Sequence, residues 1–103
     1  MGKVAVVAEL TAADGKRDEL IEAFGSMFEA VSGEDKTEIY AVHKDAGDAN
    51  IVWFYELYTD QDGLTAHSTS DAMKAAGGAL GGLLAGRPEL FFLEPVRAKG
   101  LSL

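Results

Sequence analysis

Apolar and polar positions along the chain switch between two periods. Lys3 to Leu10 is a short, β-branched and mostly apolar run, the pattern of a buried strand. Leu20, Ile21, Phe24, Met27, Phe28 and Val31 then recur at spacings of three and four. That spacing predicts one helix with a single apolar stripe, N-capped by Asp14 and stopped at Ser32-Gly33. Thr37 to Lys44 and Asn50 to Tyr58 read as two strands, and the turn formers of Asp45-Ala46-Gly47-Asp48-Ala49 join them as a hairpin. Asp60 to His67 predicts a short helix. Asp71 to about Ala85 predicts another, with Met73, Ala76, Leu80, Leu83 and Leu84 on one side and Arg87-Pro88 ending it. Glu89 to Val96 is the last strand, and 97–103 is a tail that is mobile or docks on a neighbour.

Strand, helix, strand, strand, helix, strand is the ferredoxin-like βαββαβ order: an α+β fold, a four-stranded antiparallel sheet with helices on one face. The first strand and the Trp53 side of the third are apolar on both faces, so the face without helices needs a second cover. The simplest cover is the same sheet from another copy, a homodimer through the sheet faces.

Composition narrows the partners. At 103 residues the expectation is a single domain, 1–103, whose modest core suits burial across a subunit interface. Nine Lys and Arg against 17 Asp and Glu leave a formal net charge of −8, which argues against nucleic acid or an anionic membrane surface. There is no cysteine, hence no disulfide, thiolate nucleophile or Cys-ligated metal. The first apolar run, Val4 to Ala8, is far short of the roughly 18–20 residues of a spanning helix. It also lacks the flanks of a signal peptide, and the expectation is a cytoplasmic protein.

Several short pieces occur in a characteristic order: Val6-Val7-Ala8-Glu9-Leu10, then Asp14-Gly15-Lys16-Arg17-Asp18-Glu19-Leu20, Tyr55-Glu56, Ala66-His67 with Ser70 following, and Leu93-Glu94-Pro95-Val96. In this order the chain resembles the antibiotic biosynthesis monooxygenase domain family. The resemblance implies a dimeric α/β barrel with a pocket between sheet and helices in each subunit. It also implies one of several activities: cofactor-free oxygenation of aromatic polyketides or quinols, haem degradation, or isomerisation of small sugars. Where the haem-degrading branch carries Asn, Trp and an axial His, this chain has Ala8, Tyr58 and Gly77, and no imidazole is left to hold the iron. Where the family usually shows Ser-Pro-His-Phe, it has Ser70-Asp71-Ala72-Met73.

The same alignment turns Ala8 and Tyr58 toward the pocket, and strand alternation adds Val4, Val6, Phe54 and Glu56. Trp53, Tyr55 and Leu57 point the other way. Glu56 stands in an otherwise apolar and aromatic strand, where burial raises a carboxyl toward general acid or base duty; a structural hydrogen bond or ion pair is the other reading. His67, on the following helix, offers a neutral imidazole as base, or else caps the helix or pairs with Glu56. A Glu56–His67 pair is the catalytic constellation this predicts. Tyr40, Tyr58, Phe24, Phe54, Met73 and Ala8 are the candidate substrate-binding residues, though the same positions suit plain core. His43 reads as a surface residue, and no His-x-x-x-His spacing supports a metal. Gly77-Gly78-Ala79-Leu80-Gly81-Gly82 is costly inside a helix and suggests close backbone packing on the sheet, or a helix loose enough to open the pocket.

The functional expectation is a monooxygenase without cofactor or metal, acting on a small phenolic, quinol or polyketide-like substrate with His67 as base supported by Glu56. A non-catalytic ligand-binding or stress-related module and an isomerase of a small hydroxy-carbonyl compound are the alternatives.

Overall fold

The computed structural model describes residues 2–103. The elements run β1 (Val4–Thr11), α1 (Arg17–Ala23), α2 (Gly25–Val31), β2 (Thr37–Lys44), β3 (Ile51–Tyr58), α3 (Gln61–Ser68), α4 (Asp71–Leu80) and β4 (Glu89–Leu93). The four strands form one antiparallel sheet in the order β2-β3-β1-β4. The expected ferredoxin-like sheet is present, with its helices against one face.

The expected barrel is not. β2 and β4 each have a neighbour on one side only, so the sheet has two free edges and is not closed. The reason is arithmetic of curvature: a closed barrel with a filled interior takes about eight tilted strands, and this chain contributes four.

Two helices also depart from the sequence pattern. The stripe from Leu20 to Val31 is carried by α1 and α2, not by one helix. The chain tightens where the Phe24 amide bonds back to the Ile21 carbonyl at 3.1 Å, and Gly25, a poor helix former, follows. Lys16 rather than Asp14 occupies the N-cap, while an Asp14 oxygen accepts from Asn50 Nδ2. α4 ends at Leu80, five residues before the expected Ala85. Backbone pairing takes over there: the Ala13 amide donates to Leu83 (2.8 Å) and the Ala85 amide to Thr11 (2.8 Å), stitching this segment to the end of β1.

Register fixes which side chains share a face. Tyr40, Glu56, Val6 and Phe92 form one row across the sheet, and Val42, Phe54, Ala8 and Leu90 the next. These rows face the helices, and Ala8, Leu10, Leu20, Phe24, Met27, Val52, Phe54, Ala76 and Leu80 make the main core beneath them. The helices pack on β2 and β3, so both faces of β4 stay uncovered. Leu90, Phe91, Phe92 and Leu93 are all about half exposed, two on each face. Among the described residues no helix is long and apolar enough to cross a membrane.

Candidate functional site

The end of β3 and the helix after it bring the chemistry together. The Asp60 side chain caps α3 by accepting from the Gly63 amide at 3.0 Å. The Thr59 amide donates to the Lys36 carbonyl at 2.9 Å, which pins the entry to α3 beside the start of β2. Gly63 then lets α3 lie directly on Lys36: a Cβ at this position would meet Lys36 Cβ at 2.7 Å. One turn on, His67 is buried, 2% exposed, with its ring centroid 5.4 Å from Tyr40 and 5.5 Å from Tyr58.

His67 is not paired with Glu56. Its Nδ1 lies 3.0 Å from Oε1 of Glu34, in the turn between α2 and β2, and the Thr37 hydroxyl donates to that same oxygen at 2.7 Å. His67 Nε2 is buried and has no hydrogen-bond partner. Glu56 is taken by its own strand neighbour: the Tyr58 hydroxyl donates to Glu56 Oε1 at 2.5 Å. The two residues are two apart on one strand face, which is why the nearer phenol, and not the imidazole, reaches the carboxyl.

Burial raises the Glu56 pKa above its ordinary 4.5; the Tyr58 hydrogen bond and the nearby His67 oppose this, and the Glu34 charge adds to it. Burial likewise pushes the Tyr40 phenol up, reinforced by the charges of Glu56 and Glu34. Tyr58 is pushed up by burial and then by the hydrogen bond to Glu56. Both phenols therefore remain hydrogen-bond donors at neutral pH.

The candidate binding residues are contiguous. Phe24 and Phe54 meet at 4.6 Å between ring centroids, Tyr40 and Phe54 at 5.2 Å, and Phe28, outside the sequence-based set, meets Tyr40 at 5.1 Å. Met73 and Ala8 belong to the same packed cluster, and Tyr58 packs beside it with Val6 and Leu64. The rings fill the space between β2, β3 and α1–α2. A cavity of about 360 Å³ is lined by Glu34, Thr37, Gly63, Ala66, His67 and Ser70 among others, and by none of these rings.

Glu34 is the residue that sequence reasoning missed. Its spacing from Thr37 is a local signal, but its contact with His67 spans 33 positions and follows from no periodicity. His43 is exposed, as expected, with Nδ1 3.3 Å from the Trp53 carbonyl oxygen. No group of three or more His, Asp or Glu converges on a possible metal position among the described residues. The close-packing expectation for the glycine run is corrected: Gly77, Gly78, Gly81 and Gly82 are exposed, and a Cβ on any of them meets open space or an ordinary contact. The close approach belongs to Gly63.

A family model described as antibiotic biosynthesis monooxygenase matches residues 3–78. Among solved structures, the chain is similar to a Caulobacter crescentus protein described as a candidate antibiotic biosynthesis monooxygenase, with 29% identity and TM-score 0.87, covering 93% of this chain and 92% of that one. It shares its fold with a Shewanella oneidensis protein at 20% identity and TM-score 0.86, covering 94% of each chain. A Mycobacterium tuberculosis protein at 23% identity and TM-score 0.84 has the same fold, with 94% of this chain and 98% of that one covered. A search of curated proteins finds no match.

Proposed function

Because the chain belongs to the antibiotic biosynthesis monooxygenase family, we propose that it is a cofactor-independent monooxygenase of a small phenol or quinol, with His67 as general base. Family membership supports the coarser part, a monooxygenase-type oxidoreductase. The observation that carries the finer part is the unpartnered Nε2 of a buried His67. A buried acceptor without a donor is an unmet hydrogen bond, and the hydroxyl of a phenolic ligand would meet it.

The chemistry balances on substrate electrons. Nε2 takes the hydroxyl proton and leaves an electron-rich anion in a site from which water is excluded. A hydroquinone then gives four electrons to O2. One oxygen atom enters a ring C–H bond, the ring becomes a hydroxyquinone, and the other oxygen leaves as water. Phe24, Phe54, Tyr40, Tyr58, Met73 and Ala8 would hold the ring, with half-buried Tyr40 giving way as it enters. The Glu56–Tyr58 pair supplies a second proton-bearing group beside it. The exposed apolar residues of β4, continuous with the helix-free sheet face, support self-association of two copies through that face.

Oxygen uptake against a panel of hydroquinones in metal-free buffer tests the reading. The expected result is turnover above buffer that is lost in His67→Gln and reduced in Glu56→Gln. Turnover absent, or indifferent to both substitutions, overturns it. The cavity of about 360 Å³ bordered by His67 and Glu34 favours a second reading, a ligand-binding module without catalysis. On that reading His67→Gln lowers Tm and nothing consumes O2.

A further inference from the structure

We propose that Glu34 is the positioning residue of His67: it holds the imidazole in the tautomer with hydrogen on Nδ1, so that Nε2 is the atom presented to substrate. This rests on His67 being the base of the proposed reaction.

A carboxylate has no hydrogen to give, so the 3.0 Å contact between His67 Nδ1 and Glu34 Oε1 needs its hydrogen on the ring nitrogen. The opposite tautomer would set the Nδ1 lone pair against the carboxylate and leave a buried Nε2–H with no acceptor, two unfavourable terms at once. Glu34 is itself restrained, because the Thr37 hydroxyl donates to the same oxygen at 2.7 Å and Thr37 begins β2. Tyr40 and Tyr58 pack near the imidazole ring and disfavour its rotation. The helix, the turn and the strand therefore agree on one ring orientation.

No other acid competes for this duty. Glu56 is occupied by Tyr58, and Asp60 caps α3 and pairs with Lys36. Burial also differs usefully along the pair. The imidazole is 2% exposed and the Glu34 side chain 21%. When Nε2 takes a proton, the buried imidazolium is matched by an adjacent negative charge, and that charge borders the 360 Å³ cavity. The carboxylate thus serves the charged state as well as the neutral one. A neutral acceptor in its place would keep the tautomer and lose the charge matching, so tautomer and rate separate experimentally.

The experiment is long-range ¹H–¹⁵N correlation NMR of the two imidazoles in the intact chain, with exposed His43 as internal reference, alongside oxygen-uptake kinetics. The wild-type protein is expected to show His67 as a single Nδ1–H tautomer with Nε2 unprotonated. Glu34→Gln retains that signature and lowers kcat about tenfold with KM little changed. Glu34→Leu mixes the tautomers and lowers kcat further. Should Glu34→Leu not fold, Thr37→Val leaves the carboxylate in place, loosens it, and gives a partial tautomer mixture. An Nε2–H tautomer in the wild type overturns the proposal, as does a His67 signature that Glu34→Leu or Thr37→Val leaves unchanged. The expected NMR pattern without O2 uptake from any hydroquinone upholds Glu34 as the positioning residue and removes the monooxygenase reading. Turnover together with an Nε2–H tautomer removes only the role of Glu34.

Discussion

Gly63→Ala adds one methyl group at the contact on which the placement of His67 depends. Its carbon would lie 2.7 Å from Lys36 Cβ and 3.1 Å from the Lys36 carbonyl oxygen. The first distance is about 0.8 Å inside the roughly 3.5 Å at which two carbons attract best. Neither atom is the end of a flexible side chain. The Lys36 carbonyl also accepts from the Thr59 amide, so the backbone there is tied down and α3 must lift instead. Alanine regains about 0.5–1 kcal/mol over glycine in a helix interior, whereas overpacking costs about 1–3 kcal/mol. The overlap wins, with a net loss of about 1–2 kcal/mol. For a domain of this size that corresponds to a fall in Tm of roughly 5–10 °C. Urea unfolding of Gly63→Ala beside Gly78→Ala is the assay. Gly78 is exposed in α4 and its Cβ meets nothing within 4 Å, so there the propensity gain stands alone and about 0.5–1 kcal/mol of added stability is expected. The two substitutions are chemically identical and should differ in sign. A Gly63→Ala protein as stable as wild type would refute the close-packing argument. Lifting α3 also lengthens the His67–Glu34 contact, so hydroquinone turnover should fall in Gly63→Ala and persist in Gly78→Ala.

Three further predictions concern the buried cluster. Burial holds the Glu56 pKa above 4.5 in the folded state, so above 4.5 this group keeps its proton longer in the native than in the unfolded chain, and its contribution to stability falls as pH rises. Glu56→Gln should therefore gain Tm relative to wild type as pH rises above about 4.5, and a difference that does not change with pH counts against this. Tyr58→Phe removes the donor to Glu56 Oε1 and should cost about 1–3 kcal/mol, a penalty that shrinks in the Glu56→Gln background when unfolding is measured as a double-mutant cycle. Tyr40→Ala should open an apolar void beside His67, and added phenol should raise the Tm of that variant more than that of wild type; equal responses would mean the void collapses.

Sequence periodicity was a sound guide wherever one face of an element is buried. The apolar stripe from Leu20 to Val31 follows from the local pattern of burial, whereas the facing of Phe54, Glu56 and Tyr58 came from the family resemblance. The element ends were less readable, one set by a local tightening of the chain and another by distant backbone pairing. The break at Phe24-Gly25 costs the stripe nothing, and the early end of α4 depends on β1 carbonyls and amides that lie far away in sequence. The glycines show the same division. Composition singled out Gly77 to Gly82, but the close contact falls at Gly63, because only packing decides which glycine another backbone approaches.

By itself the sequence determined the strand and helix order and the antiparallel sheet this order builds. Tertiary structure decided which acid holds which partner. It gave His67 to Glu34 and Glu56 to Tyr58, and it left the sheet open at two edges. The physical reason is range: periodicity records which face is buried, whereas a hydrogen bond needs two atoms within about 3 Å, and that is set only when distant segments pack.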